Sequence, residues 1–158
     1  MARIELSFPE DAFTFHTDMT VRSCDINAAH HLANDRLVAM LSEARFRFWM
    51  AAGAVDPQTS RTPLIVTDLA TVYRAEARGW DVLRFDVGFA DANRYGGDIV
   101  FRVTRPADKA VVALAKSGFV CFDYTAGRVV PMPQGLADRL TRPSTWTPGT
   151  AVPADLGG

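Results

Sequence analysis

Hydrophobic and polar positions change period twice along this chain. From Phe13 to Ser23 the segment FTFHTDMTVRS mixes Phe13, Phe15 and the β-branched Thr20 and Val21 with polar neighbours, which predicts a strand. After a polar cluster, NDRLVAMLSEARFRFWMAAG carries Leu37, Leu41, Ala44, Phe48 and Trp49 at three- and four-residue steps, the period of a helix. Asn34 suits its N-cap, Asp35 the positive end of its dipole and Gly53 its C-terminal stop. The polar stripe of Arg36, Glu43 and Arg47 is narrow, while Ala39, Met40, Phe46 and Met50 carry apolar surface well beyond one face. A helix apolar around most of its girth has to be wrapped by other structure.

Four β-type runs supply the wrapping: PLIVTDLATVYRAEA, DVLRFDVGFADANR, DIVFRVTRP and KAVVALAKSGFVCFDY, parted by turn material such as RGW, YGG and PAD. In the third run Ile99, Phe101 and Val103 alternate with Val100, Arg102 and Thr104, a half-buried pattern. The gaps between the last three runs are too short for crossover helices, so those strands pair antiparallel. The expected class is α+β, a curved antiparallel sheet of about five strands around one long central helix. A single domain is expected over residues 1–142. The remainder, 143–158, falls within TRPSTWTPGTAVPADLGG and reads as an extended or disordered Pro/Gly-rich tail.

Composition narrows the function classes. A chain of 158 residues, 48% hydrophobic and 22% charged, can build one core without disulfides or metal. A net charge of −1 with no block of like charges gives neither a nucleic-acid surface nor a basic membrane-binding face. The longest purely apolar run, AVVALA, is far too short to span a bilayer, and MARIELSFPEDAF lacks the apolar core of a signal peptide, so the cytoplasm is the expected compartment. Cys24 and Cys121, with no CxxC spacing, read as reduced, buried and structural. A small-ligand binder or an enzyme remains.

The candidate chemistry sits in SCDINAAHHLAND, Ser23 to Asp35, which packs Asp25, Asp35, Asn27, Asn34, His30 and His31 against the helix start. The leading N–H groups of a helix lack partners and sit at the positive end of its dipole, which suits a developing oxyanion. With Asn34 as cap, the third helical position is Leu37, which cannot reach back as Glu or Gln would, so the Asn34 N–H stays free. Asp25, two residues from Asn27, shares its face if the backbone is extended. Glu43 lies nine positions after Asn34, about two and a half turns along. His30 and His31 are adjacent, Asp25 is near and His16 remote, which is no zinc spacing; neither metal nor cofactor is expected.

Together, the element order and the segments VRSCDINAAHHLANDRLVAMLSEARFRF, VTDLATVYRAEARGWDVLRFDV and AKSGFVCFDYTAGRVVPMP resemble the hotdog-fold acyl-CoA thioesterases, closest to the 4-hydroxybenzoyl-CoA thioesterase-like family. That family's pattern Asp-x-Asp-x-x-Gly-His-Val-x-Asn stands here as Asp25-Ile26-Asn27-Ala28-Ala29-His30-His31-Leu32-Ala33-Asn34. The resemblance implies a hotdog domain that hydrolyses an acyl-CoA to a free acid and CoA. It implies an oxyanion site at the helix start, catalytic candidates Asp25, Asn27, His31, Asn34 and Glu43, and substrate-binding candidates Tyr73 and Arg74. Strand alternation lets at most one of Tyr73 and Arg74 face the ligand. Arg78 and Arg94 are further candidates for the phosphates of CoA. It also implies a homodimer or dimer of dimers with sites between subunits.

One departure matters. The family's catalytic carboxylate falls on position 27, where an amide has no usable basicity. The base therefore stays open among Asp25, His31, Asp35 and Glu43, the last reaching in across a subunit boundary. His30 stands where the family has glycine. Two rivals follow from the same residues. The spacing of Asp25, Asn27 and His30 resembles the D-x-N-P-x-H signature of (R)-specific enoyl-CoA hydratases, with Ala28 in place of proline. The missing carboxylate also suits a non-catalytic acyl-CoA or acyl-carrier binding module.

Overall fold

A computed structural model describes residues 3–55 and 64–150. Strand β1 (Phe15–Thr20) leads through a 3-10 turn, Ser23–Asp25, and a loop into helix α1 (Asn34–Ala51). Strands β2 (Leu64–Tyr73), β3 (Val82–Ala90), β4 (Gly96–Arg105) and β5 (Ala110–Asp123) follow, then the two-residue β6 (Arg128–Val129) and a short helix α2 (Leu136–Thr141). The strands order as β1-β3-β4-β5-β2, every pairing antiparallel, with β6 on the end of β5. This is the hotdog arrangement: a curled sheet with one long helix in its hollow.

The helical period decides which face of α1 meets the sheet. Leu37, Leu41, Ala44 and Phe48 are buried along one line, and so are Phe85, Ile99, Phe101 and Val103 of the inward rows of β3 and β4. Phe15 meets Phe48 with ring centroids 5.7 Å apart, and Trp49 meets Phe119 at 5.9 Å. Each such side chain contributes roughly 1.5–3 kcal/mol by leaving water, so the helix is held by its buried line rather than by its ends.

The helix is capped one residue earlier than expected. Ala33 is extended (φ −68°, ψ 145°), and its carbonyl accepts the first helical bond from Leu37 N–H at 3.0 Å. Ala33 is thus the cap and Asn34 the first helical residue; backbone geometry, not the more suitable polar side chain, sets the start. At the far end Gly53 adopts φ 66°, its N–H donates to the Met50 carbonyl, and Ala54 N–H donates to the Trp49 carbonyl at 2.8 Å. That paired closure needs a left-handed residue, for which glycine has no penalty.

Behind the sheet, the chain from Glu10 to Thr14 straps across β3. Thr14 N–H donates to the Val87 carbonyl, and a Cβ on Gly88 would lie 1.7 Å from the Ala12 carbonyl oxygen, so only glycine lets the strap pass. Glu10 pairs with Arg102, which together with Arg84 neutralises the buried Asp86. From the Pro/Gly-rich C-terminal segment, Ser144 N–H donates to the Thr14 carbonyl and Trp146 packs partly buried on the core; 151–158 lie outside the described residues.

Of the two free cysteines, Cys121 is buried, but Cys24 is exposed, against expectation. The three-residue turn that holds Cys24 buries only Asp25, whose carboxylate the exposed Arg22 bonds. Among the described residues no helix is long and apolar enough to cross a membrane.

At the sheet edges stand β1 and β2. Strand β2 is irregular between Val66 and Asp68 and leaves Val66, Leu69 and Tyr73 exposed.

Candidate active site

The polar cluster folds into a small closed loop. Ile26 and Leu32 bridge, Asn27 N–H donates to the His31 carbonyl at 2.9 Å, and His30 N–H donates to the Asn27 carbonyl at 3.0 Å. Inside it the Asn27 Oδ1 accepts from the N–H groups of Ala29 (3.0 Å) and His31 (3.2 Å). Asn27 therefore staples the loop that carries His31, and its Nδ2 meets no acceptor among the described residues. His30 sits at φ 64°, a left-handed conformation that costs an L-residue about 1–2 kcal/mol. Position 30 is where the resembled pattern has glycine, which adopts such an angle without that cost.

Two backbone bonds tie the loop to the rest of the fold. Leu32 N–H donates to the Ala77 carbonyl at 2.7 Å, and Ala33 N–H donates to the Asp25 carbonyl at 2.9 Å. The result is a cleft of about 330 Å³ between α1 and the end of β2, with Asn27, His31, Asn34, Tyr73, Arg74 and Glu76 on its walls and Leu32, Leu37 and Val112 beside them. No side chain caps α1, and among the described residues no acceptor meets the N–H of Asn34, Asp35 or Arg36. Asn34 lines the cleft, and Tyr73 donates its hydroxyl to the Asn34 carbonyl at 3.4 Å.

Across from the loop, His31 Nε2 lies 3.0 Å from Glu76 Oε2. Glu76 is absent from the candidates read in the sequence, where it is one polar residue near the end of the first β-type run. No local spacing marks it. Tyr73 and Arg74 both line the cleft, contrary to the alternation argument, because β2 ends at Tyr73 and Arg74 is released from its period. Arg74 also borders a groove lined by Phe8, Phe13 and Arg102. Arg78 and Arg94 are exposed and outside the cleft; Arg94 stacks on Tyr95.

A second hollow of about 590 Å³ lies between α1 and β1, and it takes Asp25 and Glu43 instead. Asp25 is buried, and its carboxylate accepts from Arg22 N–H (2.8 Å), Nε (3.0 Å) and Nη2 (3.1 Å). The Arg22 guanidinium holds that carboxyl below the usual carboxylate range, with burial working against it. Glu43 accepts from Arg47 Nε at 2.7 Å, while Arg47 Nη1 donates to Thr17 Oγ1 on β1. Nine residues is two and a half turns, so Glu43 leaves the helix on the side opposite Asn34. The structure thus gathers Asn27, His31, Asn34, Tyr73 and Arg74, and it sets Asp25 and Glu43 apart from them. Asp35 is exposed and lines neither hollow.

The hydratase pairing of Asp25 with His30 gains nothing from this geometry, since one is buried against Arg22 and the other exposed on the turn. Among the described residues no group of three or more His, Cys, Asp or Glu side chains is placed to hold a metal ion.

A family model described as the thioesterase-like superfamily matches residues 21–140. No curated protein matches significantly. Solved structures with the same fold include YbaW, a probable thioesterase from Escherichia coli, at 24% identity and TM-score 0.67, covering 82% of this chain and 98% of that one. A 1,4-dihydroxy-2-naphthoyl-CoA thioesterase from Synechocystis aligns at 16% identity and TM-score 0.72, again over 82% and 98%. A Thermus thermophilus thioesterase complexed with coenzyme A and Zn aligns at 18% identity and TM-score 0.71, over 81% and 98%.

Proposed function

Because the chain belongs to the thioesterase-like superfamily, we propose that it hydrolyses an acyl-CoA thioester to a carboxylic acid and CoA in the cleft at the start of α1. The observation that supports this reading is the uncapped helix start: Asn34, the first helical residue, lines a cleft that also holds His31, and no side chain caps the helix there. A thioester carbonyl oxygen accepting from the Asn34 N–H is polarised. As water adds, the charge gathering on the oxygen meets the positive end of the helix. One preorganised donor of this kind is worth about 10²–10³ in kcat. The water oxygen bonds to the acyl carbon, the C–S bond breaks, and the thiolate leaves with a proton. Asn27 serves by holding the loop, and its free Nδ2 is available to a substrate oxygen or to the attacking water.

The same reading extends to quaternary structure. The cleft opens beside the β2 edge, where Val66, Leu69 and Tyr73 present apolar surface next to unpaired strand groups. An edge of that kind needs a cover, and a second copy pairing along it would complete the cleft wall. The solved relative described with coenzyme A favours the CoA ester over other thioesters. The deciding assay is thiol release across acyl-CoAs and acyl-carrier thioesters of graded length and aromatic character. Turnover of at least one is expected; tight binding of an acyl-CoA with no thiol release from any would replace the hydrolase by a binding module.

A further inference from the structure

We propose that Glu76, brought in by the β2–β3 connection, supplies the carboxylate that the loop lacks at position 27, and acts as the positioning residue for His31 as general base. The inference rests on the hydrolase reading above and adds its base.

Three observations converge on it. The loop position that carries a carboxylate in the resembled family holds Asn27, whose oxygen is already spent on two loop amides. Asp25 and Glu43 are taken by Arg22 and Arg47 on the other side of the helix. That leaves Glu76 as the carboxylate lining the cleft, and it meets His31 Nε2 at 3.0 Å.

The pairing is built into the backbone rather than left to two mobile side chains. Leu32, next to His31, donates its N–H to the carbonyl of Ala77, next to Glu76, at 2.7 Å. On the far side, the N–H groups of Arg74 and Ala75 both donate to the Val112 carbonyl, and Arg105 Nη1 donates to the Glu76 carbonyl at 2.5 Å. Arg105 is itself clamped by Asp108. Both chain segments are therefore fixed where the two side chains face each other.

An ionised carboxylate only accepts hydrogen bonds, so facing Glu76 the Nε2 of a neutral imidazole carries the proton, and Nδ1 keeps the lone pair. Among the described residues nothing else meets either ring nitrogen. In the reaction, Nδ1 takes one proton from the attacking water as its oxygen bonds to the acyl carbon. The imidazolium is stabilised by Glu76. The same proton then passes from Nδ1 to the departing sulfur as the C–S bond breaks, and the imidazole returns to its starting form. Glu76 stays ionised throughout and need not touch the substrate.

The test compares the wild type with Glu76→Gln, Glu76→Asp and His31→Ala on whichever acyl-CoA the wild type turns over. Glu76→Gln should lower kcat about 10- to 100-fold, part of the ~10²–10⁴ that a positioned base contributes, with KM within about twofold. Glu76→Asp should recover part of the loss, and Glu76→Gln should add little when placed on His31→Ala. Imidazole ¹⁵N spectra should show His31 protonated at Nε2 in the wild type and a shifted tautomer balance in Glu76→Gln. A merely structural glutamate would give neither the tautomer shift nor the kcat-only loss. The Glu76 side chain is 66% exposed, so folding should be unaffected. Glu76→Gln turning over within twofold of the wild type, or its loss adding in full to that of His31→Ala, overturns the inference while the hydrolase reading stands. Failure of the wild type on every thioester overturns both.

Discussion

Two hollows flank the first turns of α1, and they are furnished in opposite ways. On the β1 side Asp25 is wrapped by Arg22, Glu43 by Arg47, and Arg47 reaches on to Thr17. These charges answer one another. On the β2 side the Asn34 amide and the Asn27 Nδ2 have no partner among the described residues, and the histidine is held at one nitrogen. The saturated hollow is the larger, about 590 Å³ against 330 Å³. Size therefore does not mark the candidate site; unmet donors beside a histidine that faces a carboxylate do. Where groups already satisfy each other, removing one costs the fold. Where donors have no partner, the proposed hydrolysis predicts that removing one costs turnover.

The contrast can be broken from either side. The largest effect is expected at His31: His31→Ala should lower kcat by about 10²-fold or more. Its melting temperature should stay near that of the wild type, because the loop is held by the backbone of residue 31 and by Asn27. A large drop in melting temperature would move His31 to the structural column.

Asp25→Ala should do the reverse, destabilising by about 1–3 kcal/mol through loss of a charged, multiply bonded acceptor, with kcat per folded molecule little changed. The sign of its pH dependence is fixed by Arg22, which depresses the folded carboxyl below its unfolded value. The stability difference between wild type and Asp25→Ala should be complete above about pH 4, the ordinary aspartate value, and close as pH falls through the lower folded value. Denaturant melts at stepped acidic pH would check it; a gap that widens toward acid would contradict the assignment.

Glu43→Gln should be the quietest change. An exposed i,i+4 pair with Arg47 is worth no more than ~0.5 kcal/mol, and the side chain points away from the cleft, so thiol release should match the wild type. A tenfold loss of kcat would bring Glu43 back to the chemistry, across a subunit boundary.

Much of the architecture could be read from the chain. The step of Leu37, Leu41, Ala44 and Phe48 marks α1, Gly53 marks its stop, and the short connections force β3, β4 and β5 to pair antiparallel. Alternation tells which face a residue takes but not which strand lies beside it, so β2 at the far edge could not be read from the residues alone. The cap was misplaced for a related reason. Asn34 has the side chain that caps helices, whereas Ala33 has the backbone angles of one.

At the site, the loop from Asn27 to Asn34 was legible because its residues are neighbours in sequence. Glu76 was not, since only the bond from Leu32 to Ala77 brings its connection to the loop. That Glu43 leaves the helix on the side opposite Asn34 is also legible in the sequence, because half a turn remains after two full ones.

The closure at Gly53 has a consequence at the other end of the helix. With the last turn locked and the buried line of Leu41, Ala44 and Phe48 seated in the sheet, the place where the first amides emerge is metered by residue count, eighteen positions from Asn34 to Ala51, or about 27 Å of rise. Point substitutions can retune the groups around that spot but cannot relocate it. Deleting one residue between Asn34 and the seated line would retract the helix mouth by about 1.5 Å and swing it by about 100°, turning Asn34 from the cleft toward the sheet or the solvent. The helix is in this sense a ruler, and its length sets the position of the cleft as surely as any side chain in it.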